Sequence, residues 1–377
     1  MIPFNRPRLT GREFEYIREA VEAGQLAGDG AFTRRCHGWL EKAVGARRAF
    51  LTHSGTAALD MAALLIGVGP GDEVIMPSFT FVSTANAFAL RGATPVFVDI
   101  RLDTLNLDET LVEAAITPKT KAIVPVHYAG VACELDAILE IARRHDLIVV
   151  EDAAQALLSR YRGRPAGSFG HLAAISFHET KNVISGEGGA LIVNDDRFVG
   201  RAEILWEKGT DRSRFFRGEV DKYRWLDLGS SFLPGELVAA FLYAQLEHAA
   251  ELTAERRALW DAYHYLAQRL HVLGVQSAVV PPHCEHNAHL FRVLLAPEID
   301  RAMVLERLNA AGVNAVSHYV PLHSAPAGVR FGRTAGPMLH TDSCSERLIR
   351  LPLWAGMPHS APEVVIGQLE AILSGAA

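Results

Sequence analysis

Lys181 stands in Ser176-Phe177-His178-Glu179-Thr180-Lys181-Asn182, just past an apolar run that reads as a buried strand. An amine held there loses hydration, so its pKa falls and its neutral form can add to an aldehyde as a Schiff base. Asp152 lies 29 residues earlier, in Glu151-Asp152-Ala153-Ala154-Gln155, at the end of another strand. A carboxylate in that place can pair with a protonated pyridine nitrogen and keep the ring an electron sink. Together the two residues suit pyridoxal phosphate. The ordinary alternative is a solvated surface lysine. Against it stand the core strands expected on either side, 172–177 and 190–193, which put Lys181 in a loop at the sheet end where open α/β folds bind ligands.

Two further stretches carry chemistry of the same kind. His53-Ser54-Gly55-Thr56-Ala57-Ala58 falls between a strand and a helix, so free backbone N–H groups, hydroxyls and the positive helix end suit a phosphate. Ser54 serves equally well as a plain N-cap. Ser176, at another strand end, offers one more hydroxyl to the same anion. In Pro77-Ser78-Phe79-Thr80-Phe81 an aromatic ring at a strand end can stack on a planar heterocycle. Pattern alone chooses neither between Phe79 and Phe81 nor between stacking and core packing.

These residues need a scaffold, and the chain reads as one. Strands expected at 49–52, 73–76, 95–99, 122–126, 147–150, 172–177 and 190–193 alternate with helices such as 135–145, which predicts a mostly parallel sheet covered on both faces. From about 234 to 271 the pattern turns helical and suits a connector. Beyond it, 289–295, the helix 301–311 and 315–320 read as a smaller α/β layer. The expected division is a large domain over 1–245 and a small one over 246–377. Length of 377 residues, with 49% hydrophobic and 21% charged, fits a two-domain globular enzyme. A net charge of −6 with scattered basic residues gives no sign of a nucleic-acid surface, and no nucleic-acid partner is expected. The four cysteines, Cys36, Cys133, Cys284 and Cys344, lack metal-site spacing, so reduced thiols and no metal are expected. No stretch approaches the ~20 apolar residues of a membrane span, and the first residues form no leader, so a cytoplasmic location is expected.

Taken in order and spacing, Ser54 to Ala58, Pro77 to Phe81, Glu151 to Gln155 and Ser176 to Lys181 resemble the DegT/DnrJ/EryC1/StrS sugar aminotransferases over nearly the whole chain. The resemblance implies the aspartate-aminotransferase-like fold type I of pyridoxal-phosphate enzymes. It assigns the Schiff base to Lys181, the pyridine partner to Asp152 and ring stacking to Phe81. Gln155 would lie near the cofactor's phenolic oxygen, and Gly55, Thr56 and Ser176 on its phosphate. It also implies a homodimer with shared active sites. Where most members carry an Asn that contacts the phosphate across the dimer, this chain has Gly229-Ser230-Ser231, leaving Ser231 as a substitute.

Further stretches, including His127-Tyr128-Ala129-Gly130, Phe215-Phe216-Arg217-Gly218 and His318-Tyr319-Val320-Pro321-Leu322-His323, resemble a subgroup that aminates C4 of TDP-4-keto-6-deoxyglucose with L-glutamate to give the axial amine. His127, His318 and His323 are candidate substrate contacts, although a histidine satisfied at a strand end is the plain alternative for His127 and His318. Arg212 and Arg217, in a basic stretch, are candidates for a diphosphate, with a solvated loop as the alternative. A 3-amino or an equatorial 4-amino product stays open. A cofactor-dependent sugar dehydratase would carry histidine in place of Lys181, and a non-catalytic regulator would tolerate its loss.

Overall fold

The computed structural model describes residues 1–375. Eight strands form the main sheet, in the spatial order Arg48–Thr52, Gly189–Val193, Leu172–Ser176, Ile148–Asp152, Thr120–Ile123, Glu73–Pro77, Thr94–Val98 and Arg333–Thr334. From Leu172–Ser176 to Arg333–Thr334 every pairing is parallel. Such strands are covered on both faces, and Glu73–Pro77 is buried at all five positions. Gly189–Val193 breaks the pattern and runs antiparallel to both neighbours. It follows Leu172–Ser176 through a loop with no crossover helix, and a chain without a crossover returns antiparallel. Lys181 sits in that loop.

Because the antiparallel strand separates them, Arg48–Thr52 and Leu172–Ser176 point the same way. The ends carrying Thr52, Pro77, Asp152 and Ser176 therefore share one edge of the sheet. This is the edge at which the sequence motifs converge.

Two of the apolar clusters stand apart in the fold. One packs the helices Gly55–Ile66 and Val82–Ala89 on the main sheet. The other holds Trp260, Tyr263, Phe291, Leu351 and Ile366 around a three-stranded sheet of Gln276–Ser277, Phe291–Leu294 and Leu348–Leu351. The long helical stretch expected at 234–271 is two helices, Glu236–Glu247 and Ala249–Ala267, broken at His248. Residues of the first, such as Ala239 and Ala240, pack with Tyr16 and Phe32 of the N-terminal helices, while Leu259 and Trp260 of the second belong to the other cluster.

Two expected strands differ from the structure. The strand at 122–126 is Thr120–Ile123, since Pro125 has no N–H to continue a ladder. The stretch 315–320 is no strand: only Val316 pairs, with Arg350, before Pro321 ends the extended run. His318 and Tyr319 pack instead against Phe79 and Tyr128. All four cysteines are free and buried. Among the described residues no helix is long and apolar enough to cross a membrane, and no three potential metal ligands cluster.

Candidate active site

The strand ends open onto a cavity of about 600 Å³, closed from the other side by His289, His318, Tyr319 and Arg350. Ser54 caps the helix Gly55–Ile66 by accepting from Ala57 N, which leaves the first N–H groups of that helix turned to the cavity. Gly55 lies so near Ser176 that a Cβ on it would sit 2.9 Å from the serine Cβ. The backbone of Ser54 presses still more closely on Gly189. A glycine is required at both positions because two strand ends and a helix start meet there. Thr56 Oγ1 reaches Ser83 Oγ at 2.7 Å, adding a second hydroxyl beside Ser176 on the cavity wall.

Asp152 is buried at the strand end. Its Oδ1 accepts from Ala154 N at 3.1 Å and its Oδ2 from Thr84 Oγ1 at 2.7 Å. Thr84 has one hydroxyl proton and spends it on Asp152, so Thr80 Oγ1, 2.9 Å away, donates to Thr84. A chain of two threonines thus aims the carboxylate. Lys181 opens onto the same cavity, and the protein around its amine lowers the pKa to about 8, chiefly through burial. The charge of Asp152 resists that fall, and the charge of Arg350 adds to it.

Phe79 and Phe81 have opposite fates. Phe79 is 1% exposed, packed edge-on to Tyr128 and Tyr319, whereas Phe81 is 58% exposed and lines the cavity. Gln155 is held at both ends of its amide, accepting from Ala129 N at 2.8 Å and donating to Tyr319 Oη at 3.0 Å.

His289 has a tautomer set by its neighbours. Asn182 Nδ2 donates to Asn287 O, so Asn182 Oδ1 is an acceptor and His289 Nδ1, 3.2 Å from it, carries the proton. Burial, then the charges of Lys181 and Arg256, hold this ring well below the usual histidine pKa. His289 is therefore neutral. His318, whose Nδ1 pairs with Tyr128 Oη at 2.9 Å, is likewise pushed down by burial, then by Arg350 and Lys181.

Of the residues singled out in the sequence, Gly55, Thr56, Phe81, Asp152, Gln155, Ser176, Lys181 and His318 line the cavity. The others do not. His127 is completely buried, with Nε2 2.8 Å from Glu151 and Nδ1 accepting from Cys133 N. Glu151 also takes the N–H groups of Gly167, Phe169 and Gly170, so the pair knits two loops together beneath the sheet edge. His323 Nδ1 lies 2.8 Å from Ser78 Oγ. Arg212 pairs with Glu207, and Arg217 is clamped between Glu203 and Glu219. Ser231 is exposed, with its backbone bridged to Glu207.

Sequence reasoning did not single out Thr84, Ser83, His289 or Arg350. Thr84 and Ser83 follow Phe81 within one helical turn, a spacing that places them near the same strand end. His289 and Arg350 carry no such local sign.

The set fits pyridoxal phosphate: a buried carboxylate, a lysine of lowered pKa, an exposed aromatic ring on the same cavity wall and a glycine-serine cradle at a helix start. Fold and site together define a pyridoxal-phosphate-dependent transferase of fold type I. The model of the DegT/DnrJ/EryC1/StrS aminotransferase family matches residues 7–370, and the chain belongs to that family. It is 35% identical over 373 residues to the GDP-perosamine synthase of Caulobacter vibrioides, with 97% of each chain covered. Among solved structures it resembles S. venezuelae DesV in complex with a ketimine intermediate, with 31% identity, TM-score 0.90 and coverage of 99% and 98%. It also resembles Spr1654 of Streptococcus pneumoniae in its PMP-form, with 26% identity, TM-score 0.92 and both chains fully covered. The protein is a pyridoxal-phosphate-dependent sugar aminotransferase.

Proposed function

We propose that the protein transfers the amino group of L-glutamate to C4 of TDP-4-keto-6-deoxyglucose, giving TDP-4-amino-4,6-dideoxygalactose and 2-oxoglutarate. The observation that carries the aminotransferase chemistry is the meeting of Lys181, its pKa lowered, with the threonine-held Asp152 in one cavity. The choice of sugar rests on the resemblance of His127 to Gly130, Phe215 to Gly218 and His318 to His323 to the TDP-sugar subgroup.

Pyridoxal phosphate, when bound, supplies an aldehyde for amine exchange and a ring that takes up the electron pair left on the donor's α-carbon. Asp152, aimed by Thr84 and Ala154, would pair with the pyridine nitrogen. Gly55, Thr56 and Ser176 would hold the phosphate, Phe81 would cover one ring face and exclude water, and Gln155 would stand near the phenolic oxygen. Lys181 would tether the cofactor and, as a free amine, would take the proton from the donor's α-carbon. An amine of pKa about 8 is neutral in roughly a tenth of molecules at pH 7, against fewer than one in a thousand for an unperturbed lysine. A free base is thus at hand near neutral pH.

The two apolar clusters form the two domains, the chain passing from the first to the second near residue 245 and returning to the main sheet with Leu322, Arg333–Thr334 and Met338. The active unit is a homodimer with shared sites, in which Ser231 reaches the cofactor phosphate of the partner subunit; its exposure and its absence from the lining of its own cavity support this. Arg212 and Arg217 would exchange their present carboxylate partners for the nucleotide diphosphate.

A second reading, a GDP-linked acceptor, is favoured by the similarity to GDP-perosamine synthase. Purified protein given glutamate and either the TDP- or the GDP-linked 4-keto-6-deoxy sugar distinguishes the two. NMR of the product settles the stereochemistry: small H3–H4 and H4–H5 couplings mean the axial amine, and large ones would overturn that assignment. Nitrogen found on C3 would overturn the position.

A further inference from the structure

A second, smaller cavity lies between Lys181 and the N-terminal residues Asn5 to Arg8. Its volume is about 10 Å³, close to the roughly 10–15 Å³ that one water molecule needs. Lys181, Arg256 and Asn5 line both this cavity and the large one, so the lysine stands between them. Gln245, from the helix Glu236–Glu247, is fully buried on its wall. Its amide nitrogen spends both protons, on Arg8 O at 2.8 Å and Glu13 Oε1 at 2.7 Å, which fixes the orientation of the amide. The amide oxygen, equally buried, accepts from no group among the described residues. A buried carbonyl oxygen without a donor is costly. Arg256 has the complementary lack. It is 3% exposed, its Nε and Nη2 donate to Ala288 O and His289 O, and its Nη1 donates to nothing among the described residues. A donor and an acceptor that share a water-sized cavity without bonding each other are the two partners a bridging water takes.

We propose that this cavity is a binding site for one water molecule, which donates to Gln245 Oε1, accepts from Arg256 Nη1 and exchanges the protons of the Lys181 amine with solvent. The exchange role rests on the aminotransferase reading of the large cavity. There the cofactor, the amino donor and Phe81 would keep water from the front of the lysine. The Lys181 amine has no hydrogen-bond partner among the described residues, so the water on its other side is its contact with solvent. Once the amine has taken the α-proton it is an ammonium. It passes a proton to the water oxygen and takes another back, so atoms and charge are conserved and only the identity of the hydrogen changes. The water then trades places with bulk solvent past Arg6, Pro7 and Arg8, which are exposed on the cavity rim. Gln245 is thus a positioning residue that acts on Lys181 through the water.

The test takes two readouts from the holoenzyme. The first is a crystal structure at a resolution that shows ordered water. Density is expected within hydrogen-bond distance of Gln245 Oε1 and Arg256 Nη1 in wild type and is expected to be gone in Gln245→Met; wild-type crystals without it would overturn the site. The second readout follows L-glutamate deuterated at Cα through a single turnover in ordinary water. Mass spectrometry of the pyridoxamine phosphate formed reads how much deuterium Lys181 hands on to the cofactor. Gln245→Met, matched in volume but without the acceptor, is expected to raise that retained fraction severalfold, because the label no longer washes out. Ala355 lines the same cavity. Ala355→Val fills the space while leaving Gln245, Arg256 and Lys181 in place, and it is expected to act likewise, which covers a methionine variant that does not fold. Unchanged retention in a folded, cofactor-loaded variant would overturn the exchange role, whatever happens to its turnover. A wild-type holoenzyme whose visible band glutamate leaves unaltered would overturn the aminotransferase reading and the exchange role with it, while the crystallographic water would still decide the site.

Discussion

Lys181 trades stability for reactivity, and the trade has a calculable size. Its pKa falls from 10.5 to about 8, first through burial, which outweighs the raising effect of Asp152. At about 1.4 kcal/mol per unit, keeping this lysine protonated in the folded chain costs about 3 kcal/mol. The cost has a pH signature. Between pH 8 and 10.5 the unfolded chain binds the proton that the folded chain has released, so stability rises with pH across that window. Below pH 8 the lysine is protonated in both states and the full penalty applies; above 10.5 it vanishes. Replacing Lys181 by Met, of similar length and no charge, removes the penalty. In urea melts of cofactor-free protein, the margin by which Lys181→Met exceeds wild type is expected to be largest at pH 7 and to shrink by about 2 kcal/mol by pH 10. The closing of the gap is the informative quantity, because packing differences between the two side chains do not vary with pH. A gap constant from pH 7 to 10 would refute the lowered pKa, and with it the supply of neutral amine near neutral pH.

Four further outcomes follow from the same geometry. Asp152→Asn removes the charge facing the pyridine nitrogen and is expected to lower turnover by two or more orders of magnitude while the cofactor band persists; single-turnover kinetics with glutamate check it. Thr84→Val deletes the hydroxyl donating to Asp152 Oδ2, a charge-assisted bond of about 1.5–3 kcal/mol, and should slow the glutamate half-reaction at least about tenfold with cofactor retained. His127→Ala leaves Glu151 buried without its imidazole, so urea melts should show a loss of about 3–5 kcal/mol, while turnover per folded site and the KM for sugar stay unchanged. A raised sugar KM in that variant would return His127 to the substrate. Mixing Lys181→Ala subunits with subunits disabled at Ser231 is expected to restore activity in hybrids, and failure despite proven subunit exchange would count against shared sites.

Much of the site is legible in the linear chain because its parts are local. A lysine just past an apolar strand, an aspartate ending another, and a Ser-Gly-Thr turn opening a helix each carry their meaning within a few residues, since strand ends and helix starts expose their groups there. The alternation of strands and helices likewise determines the parallel sheet and the edge at which those groups emerge. Tertiary structure alone decided what depends on distant partners. The antiparallel course of Gly189–Val193 turns on its two neighbours, and whether Phe79 or Phe81 faces the cavity turns on Tyr128 and Tyr319 filling the space around the first. His127 has the composition of a substrate contact, yet Glu151, 24 residues away, takes it into the core. Arg350 carries no local sign at all: it has no carboxylate partner among the described residues, and only the packing of Ser317 and Phe4 against its guanidinium sets it in the cavity wall. Secondary structure depends on short-range periodicity, whereas the partner of a charged side chain is set by contacts that the chain makes only once it has closed on itself.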